Sequence, residues 1–224
     1  VPAPTDVDHS VWDEPSLVAG QADGGETPPE GALTYRRWLD EGIARTGGVW
    51  SWLVTLGVAA SAGAWGIIGA FTAASGGGEV TFFGVLGATV LAPVTEEITK
   101  VAALLWVVEK RPFWLKSIAQ VLLCSAAGGL VFAAIENLIY LNVYHPQGGE
   151  AFAQWRWTVC TGLHVNCSVI AGFGLVRIWD KAVRTRTRPE LRLGMPMFAL
   201  AMITHGLYNF GVTVAEAGGW LAFE

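Results

Sequence analysis

"LAPVTEEITKVAALLW", residues 91–106, sets two glutamates, a lysine and a proline inside an apolar run that extends from about 80 to 108. The reading of this stretch depends on its setting. Of 224 residues, 52% are hydrophobic and 15% charged, and the mean hydropathy is positive. That excludes an ordinary soluble domain and points to an integral membrane protein. The 28 glycines suit helices that approach closely in a polytopic bundle. The net charge of −5 misleads as an average, because seven of the 19 acidic residues lie in residues 1–30, which hold no Lys or Arg. The remainder is slightly basic.

Five apolar runs reach the roughly 20 residues a transmembrane helix needs. They fall at about 49–73, 80–108, 117–142, 156–179 and 191–215. A backbone in hydrocarbon must satisfy its own hydrogen bonds, and no run shows barrel-like alternation, so each is expected to be helical. The fold class is therefore all-α: a polytopic transmembrane helix bundle of about five spans with a disordered acidic N-terminal tail. Residues 1–33 are too polar and aperiodic to offset the entropy of ordering. They also lack the basic and apolar regions of a secretory signal. The segment "TYRRWLDEGIART" (34–46) reads as a surface amphipathic helix or a plain juxtamembrane linker. The chain divides into a tail and juxtamembrane segment (1–47), a membrane domain (48–217) and a short tail (218–224).

Lys and Arg cluster before span 1, between spans 2 and 3, and between spans 4 and 5. The other two loops, 75–79 and 142–152, have none. Positive-inside bias then places the N-terminus in the cytoplasm and the C-terminus outside. The same bias accounts for the basic 180–192 loop, so no nucleic-acid partner is implied. Cys124, Cys160 and Cys167 sit in apolar runs without CxxC spacing, and read as buried small residues.

Four spans carry polar groups that hydrocarbon disfavours. Span 2 has Glu96, Glu97 and Lys100; span 3 has Glu136 and Asn137; span 4 has His164; span 5 has His205 and Asn209. A charged residue at a helix centre costs about 2.5–3.5 kcal/mol on translocon scales, and such residues normally face the bundle interior and mark function. Lys100 lies four residues after Glu96 and three after Glu97, so all three share a helix face. His205 and Asn209 share one too. Pro93 cannot donate a hydrogen bond and crowds the carbonyl of Thr89, which predicts a kink and an interrupted helix. Each group alone has a bland reading. The Glu–Lys pair can neutralise itself, Glu136 can sit at the outer interface, and a lone histidine is usually a satisfied polar residue. Acids and imidazoles on four consecutive spans form a constellation instead.

Several chemistries want such a constellation. Carboxylates can take a proton from water as general bases. Glu96, Glu136, His164 and His205 form a candidate Zn²⁺ ligand set with room for water. Ion or proton transport also uses Glu and His chains. A bis-histidine haem site at His164 and His205 leaves the acidic motifs unexplained. A non-catalytic membrane subunit is a further alternative. Five spans with four different motifs show none of the internal repeats common in transporters.

"EEITK" (96–100), "FAAIEN" (132–137), His164 and "HGLYN" (205–209) resemble, in this order, the motifs of the PrsW family of intramembrane proteases. They are distantly similar to those of the CAAX prenyl endopeptidases. Lys100 in place of an arginine one position later, and Glu136 in place of a histidine, favour PrsW. The resemblance covers roughly 80–215. It implies hydrolysis of peptide bonds in membrane-embedded or membrane-proximal substrates, as in the first cut of a single-pass anti-sigma factor. It implies a prokaryotic cytoplasmic membrane, and Glu96, Glu97, Glu136, His164 and His205 as the catalytic set. Lys100, Asn137 and Asn209 would support them: Lys100 by neutralising the Glu pair, Asn209 with His205 by stabilising an oxyanion. The family has been classed both as metallo- and as glutamic-type. HExxH is absent here, so a zincin helix is excluded while a scattered Glu/His metal site is not.

Overall fold

A computed structural model describes residues 34–74 and 81–220, and every regular element among them is helical. The acidic tail and the 75–79 loop fall outside the described residues. Helix α1 (Tyr35–Arg45) starts where the Thr34 side chain accepts the Arg37 N–H, an N-cap that fixes the first turn. It is the amphipathic surface helix that its pattern suggests. Tyr35 and Leu39 are buried, while Glu41 pairs with Arg37 (3.0 Å) and Arg45 (3.2 Å) on the exposed side. Trp38 packs edge-on against Phe113 at 5.0 Å, and Asp40 accepts from Arg186 at 2.5 Å, so α1 is docked on the bundle.

Five long helices follow: α2 (Gly48–Ala74), α3 (82–110), α4 (Ile118–Tyr144), α5 (Glu150–Thr185) and α6 (Met195–Ala217). They stand where the hydropathy placed five spans. By length and composition α4, α5 and α6 are able to cross a membrane. Helix α5 has 36 residues and begins at Glu150, upstream of the expected 156. The segment EAFAQW contains no helix breaker, and Glu150 in the first turn suits the positive end of the helix dipole. Its far end stops at Arg186, which takes a left-handed conformation (φ 57°).

Helix α3 lies at the centre and packs against α2, α4, α5 and α6. Val101, Leu104, Val108, Val121, Leu175 and Ile178 form the apolar core in one half of the bundle. Cys124 and Cys167 belong to this core, Cys160 is buried elsewhere, and all three thiols are free. Gln120 is buried but satisfied. It donates to Ser51 (2.8 Å) and Thr55 (3.0 Å) of α2 and accepts from the Lys116 N–H. Small residues set the interhelical distances. A Cβ on Gly128 of α4 would lie 2.5 Å from the Lys100 carbonyl oxygen, and one on Gly206 of α6 would lie 2.3 Å from that of Thr89.

Three helices contain a wide, π-type turn: Gly87–Leu91 in α3, Tyr140–Tyr144 in α4 and Arg156–Cys160 in α5. The first answers the kink expected at Pro93. The proline has no N–H to offer Thr89, and the helix passes the defect by widening rather than breaking. In two of these turns a backbone carbonyl, Ala88 or Arg156, takes a side-chain partner at the site described next.

Replacing Gly128 or Gly206 with valine is expected to lower the unfolding free energy by about 1–3 kcal/mol, because backbone rather than a flexible side chain blocks the new atoms. Gly57→Ala, which meets nothing within 4 Å, is the neutral control. Thermal denaturation in detergent distinguishes them.

Candidate active site

Helix α3 presents Glu96, Glu97 and Lys100 from its buried face, and all three are 3% exposed or less. The Lys100 ammonium donates to Glu97 Oε1 at 2.7 Å and stands 3.6 Å from Glu96 Oε2. It also donates to His164 Nδ1 of α5 at 2.8 Å, and lies 4.2 Å from the centre of the Phe132 ring. An ammonium can only donate, so Nδ1 must accept and the proton of a neutral His164 resides on Nε2. Nε2 is 2.8 Å from Glu136 Oε2, an acceptor. The two contacts thus specify one tautomer from opposite sides of the ring.

His205 of α6 is held the same way. Its Nδ1 donates to Glu97 Oε1 at 2.8 Å, which leaves the Nε2 lone pair facing Glu96 Oε2 at 3.7 Å. The two imidazoles lie edge to face, 5.0 Å between centroids. The sequence-predicted set therefore comes together from α3, α4, α5 and α6. It is packed rather than arranged around an open polar cavity: its members satisfy one another, and His164 and His205 are each 2% exposed.

The supporting residues divide. Asn137 lies under the far end of the cluster. It donates to the Arg156 carbonyl (3.1 Å) and to Thr161 Oγ1 (3.0 Å), while its own oxygen accepts from Arg156 Nε (3.0 Å). The carbonyl it captures belongs to the wide turn of α5. The Asn209 amide donates to the Ala88 carbonyl in the wide turn of α3, at 2.9 Å, and so ties α6 to α3. Arg156 was not anticipated. Its Nη2 lies 2.7 Å from Glu136 Oε2 and its guanidinium 4.0 Å from the Tyr140 ring. In the sequence it sits between two tryptophans and reads as part of an interfacial aromatic belt. The signal was its isolation: only Lys100 and Arg156 stand apart from the basic clusters and their flanks.

The cluster is short of positive charge. Three carboxylates face two permanent cations, so with all three ionised and both imidazoles neutral one negative charge is uncompensated. Among the described residues, two buried carboxylate oxygens, Glu96 Oε2 and Glu97 Oε2, have no hydrogen-bond partner. Buried acceptors without partners are costly, and these two suit a proton, a water or a cation. Glu96, His164 and His205 each offer one ligand atom, all within 4.8 Å of one another. Glu136 is not in that group; its Oε2 is engaged by His164 and Arg156.

A family model described as PrsW family intramembrane metalloprotease matches residues 48–223. The chain belongs to the PrsW family. It is thereby a multi-pass membrane protein and an intramembrane protease, and the transport and non-catalytic readings lose their ground. No curated protein and no solved structure matches the chain. For this PrsW-family chain the match includes every residue of the cluster, from Glu96 to His205, and excludes α1 and the acidic tail.

Asn209→Ala is expected to cost about 1 kcal/mol of stability, the usual scale of an interhelical hydrogen bond in a membrane. Cleavage should fall far less than for any Glu or His of the cluster. Thermal unfolding in detergent, run beside a cleavage assay, checks both.

Proposed function

We propose that the buried Glu/His cluster hydrolyses peptide bonds in or beside the membrane-spanning segment of single-pass membrane proteins, of which anti-sigma-factor-like proteins are one class. The observation that carries this reading is that Glu96, whose buried Oε2 has no hydrogen-bond partner among the described residues, offers a ligand atom within 4.8 Å of one from His164 and one from His205, in a PrsW-family chain. The protein would reside in the cytoplasmic membrane of a prokaryote, with its N-terminus inside and its C-terminus outside, as the Lys/Arg loops suggest.

The residues fit a divalent cation. Two imidazoles and one carboxylate are a donor set that Zn²⁺ uses in peptidases. Glu96, His164 and His205 would hold the ion once Lys100 gives up His164 Nδ1 and keeps its bond to Glu97, and the ion when bound would polarise the scissile carbonyl and make water acidic enough to attack. The rest of the chemistry belongs to the side chains. Glu97 and Glu136 accept from the outward nitrogens of His205 and His164, and so aim the inward nitrogens at the reaction centre. Glu97 Oε2 is then the acceptor left to take a proton from the attacking water. The water oxygen bonds to the carbonyl carbon, the C–N bond breaks, and the proton on Glu97 passes to the leaving amine. Lys100, bonded to Glu97 Oε1, keeps a compensating charge beside the carboxylates throughout. Because the cluster is closed, a substrate strand must enter by parting helices, which also keeps bulk water from the site.

Glu96→Gln, Glu97→Gln and His205→Ala are each expected to lower the cleavage rate by about 10²–10⁴, the usual contribution of a positioned acid or base. The assay is co-expression with single-pass membrane proteins; cleavage that survives in all three variants would overturn the reading. Elemental analysis of the purified protein should find Zn²⁺ near one equivalent, lost together with activity on chelation. Full activity in metal-free protein would leave the carboxylates as the sole catalysts.

A further inference from the structure

We propose, resting on the catalytic reading above, that Arg156 is a positioning residue: it pins Glu136 and thereby holds His164 in its Nε2–H tautomer. Arg156 is an outlier in the chain. It is 6% exposed, in a segment where basic residues are otherwise missing, and it starts the wide turn of α5. Burying a guanidinium at a helix bundle's polar end is costly unless every face is engaged. Every face is. Nη2 meets Glu136 Oε2 at 2.7 Å, Nε meets Asn137 Oδ1 at 3.0 Å, and the ring of Tyr140 lies 4.0 Å away. Its backbone is held too, since Asn137 Nδ2 and Thr161 Oγ1 both donate to its carbonyl oxygen. Asn137 thus grips both the side chain and the backbone of Arg156, which gives the Glu-Asn pair of α4 a joint purpose.

The consequence reaches His164 through a single atom. Glu136 Oε2 accepts from Arg156 and from His164 Nε2 at once. A guanidinium does not give up its proton, so this oxygen remains an acceptor and requires Nε2 to donate. Lys100 favours the same tautomer from the other side at Nδ1, but it also bonds Glu97 and can keep to that partner alone. Without Arg156 the Glu136 carboxylate, 12% exposed at its side chain, can rotate away, and one of the two constraints on the imidazole disappears. Arg156 touches none of Glu96, Glu97 or His205 in this arrangement, so its effect on chemistry must run through Glu136.

The test compares Arg156→Gln, Arg156→Lys, Glu136→Gln and the double variant Arg156→Gln/Glu136→Gln. Full-length protein in nanodiscs is used, with a single-pass substrate that the wild type cleaves. Arg156→Gln should lower kcat by about 10–100-fold, the scale of losing an outer-shell partner, with KM within about threefold. Arg156→Lys, which keeps the charge but not the fork, should recover a large part of the loss. In the Glu136→Gln background the Arg156 change should add nothing, as for residues acting through one another. Nitrogen-15 NMR of labelled histidine should show a single Nε2–H tautomer of His164 in the wild type and a mixture in Arg156→Gln. Additive losses in the double variant, or an unchanged tautomer, would overturn the proposal and leave Arg156 as a packing anchor between α4 and α5. Should Arg156→Gln fail to fold, the Lys variant and its tautomer decide. Glu96→Gln and His205→Ala run alongside: activity in those two would sink the catalytic reading itself, whereas their inactivity with additive Arg156 effects would sink only this inference.

Discussion

One ammonium group holds three helices of this protein in register. Lys100 on α3 donates to Glu97 on its own helix and to His164 on α5, and Glu97 passes the connection on to His205 of α6. Nothing about stability requires this. Taking ions out of water costs several kcal/mol each, and a buried ion pair is often no better than a well-packed apolar replacement. In hydrocarbon the alternative of leucines at these positions would insert more easily. The network makes sense as specification. Removing a linking member leaves a buried partner one bond short, so the mutual positions of the carboxylates and imidazoles are fixed tightly at the expense of stability.

The backbone is shaped to serve the same end. A uniform α-helix hides all its carbonyls, and so offers a neighbouring helix nothing to bond. The wide turn at Gly87–Leu91 leaves the Ala88 carbonyl to accept from Asn209, and the Arg156 carbonyl at the start of the second wide turn accepts from Asn137 as well as from the Thr161 N–H. Gly206 then lets α6 lie directly on the Thr89 carbonyl, and Gly128 lets α4 lie on that of Lys100. Both glycines bring a helix to the level of the Glu–Lys patch. The irregularities that a hydropathy profile treats as noise are the points at which α4 and α6 are located relative to α3.

What the sequence made legible follows from how residues signal. The helical bundle was plain, because length and apolarity alone define a membrane helix. The cluster was plain as well: Glu96, Glu97, Lys100, Glu136, His164 and His205 are anomalies in hydrocarbon, and spacing put the α3 trio on one face. Arg156 was hidden by its neighbours, since an arginine between tryptophans near a span end has an innocent explanation. The spacing of Asn209 to His205 shows a shared face and not the partner across it. That partner is the Ala88 carbonyl, freed by a wide turn next to Pro93, where the sequence predicts a kink and an interrupted helix. From the sequence Glu136 is either a metal ligand or a group that orients a histidine, and which neighbour it meets is a property of packing that no spacing within α4 can reveal.

The two imidazoles show why a metal-bound and a carboxylate-only description meet in one geometry. Each ring has its outward nitrogen bonded to a carboxylate, Glu97 for His205 and Glu136 for His164, and its inward nitrogen turned toward Glu96 or Lys100. The outward bonds prepare both rings as ligands, which is the usual role of a carboxylate behind a metal-bound histidine. The inward side already contains one cation, the Lys100 ammonium, and still carries one negative charge beyond what the fixed cations balance. A proton at one oxygen balances that excess. A divalent cation would exceed it by one charge, which a bound hydroxide would return, and would need Lys100 to release His164 Nδ1. In either case the lysine is the counter-charge beside Glu96 and Glu97 that keeps these buried acids compatible with a membrane.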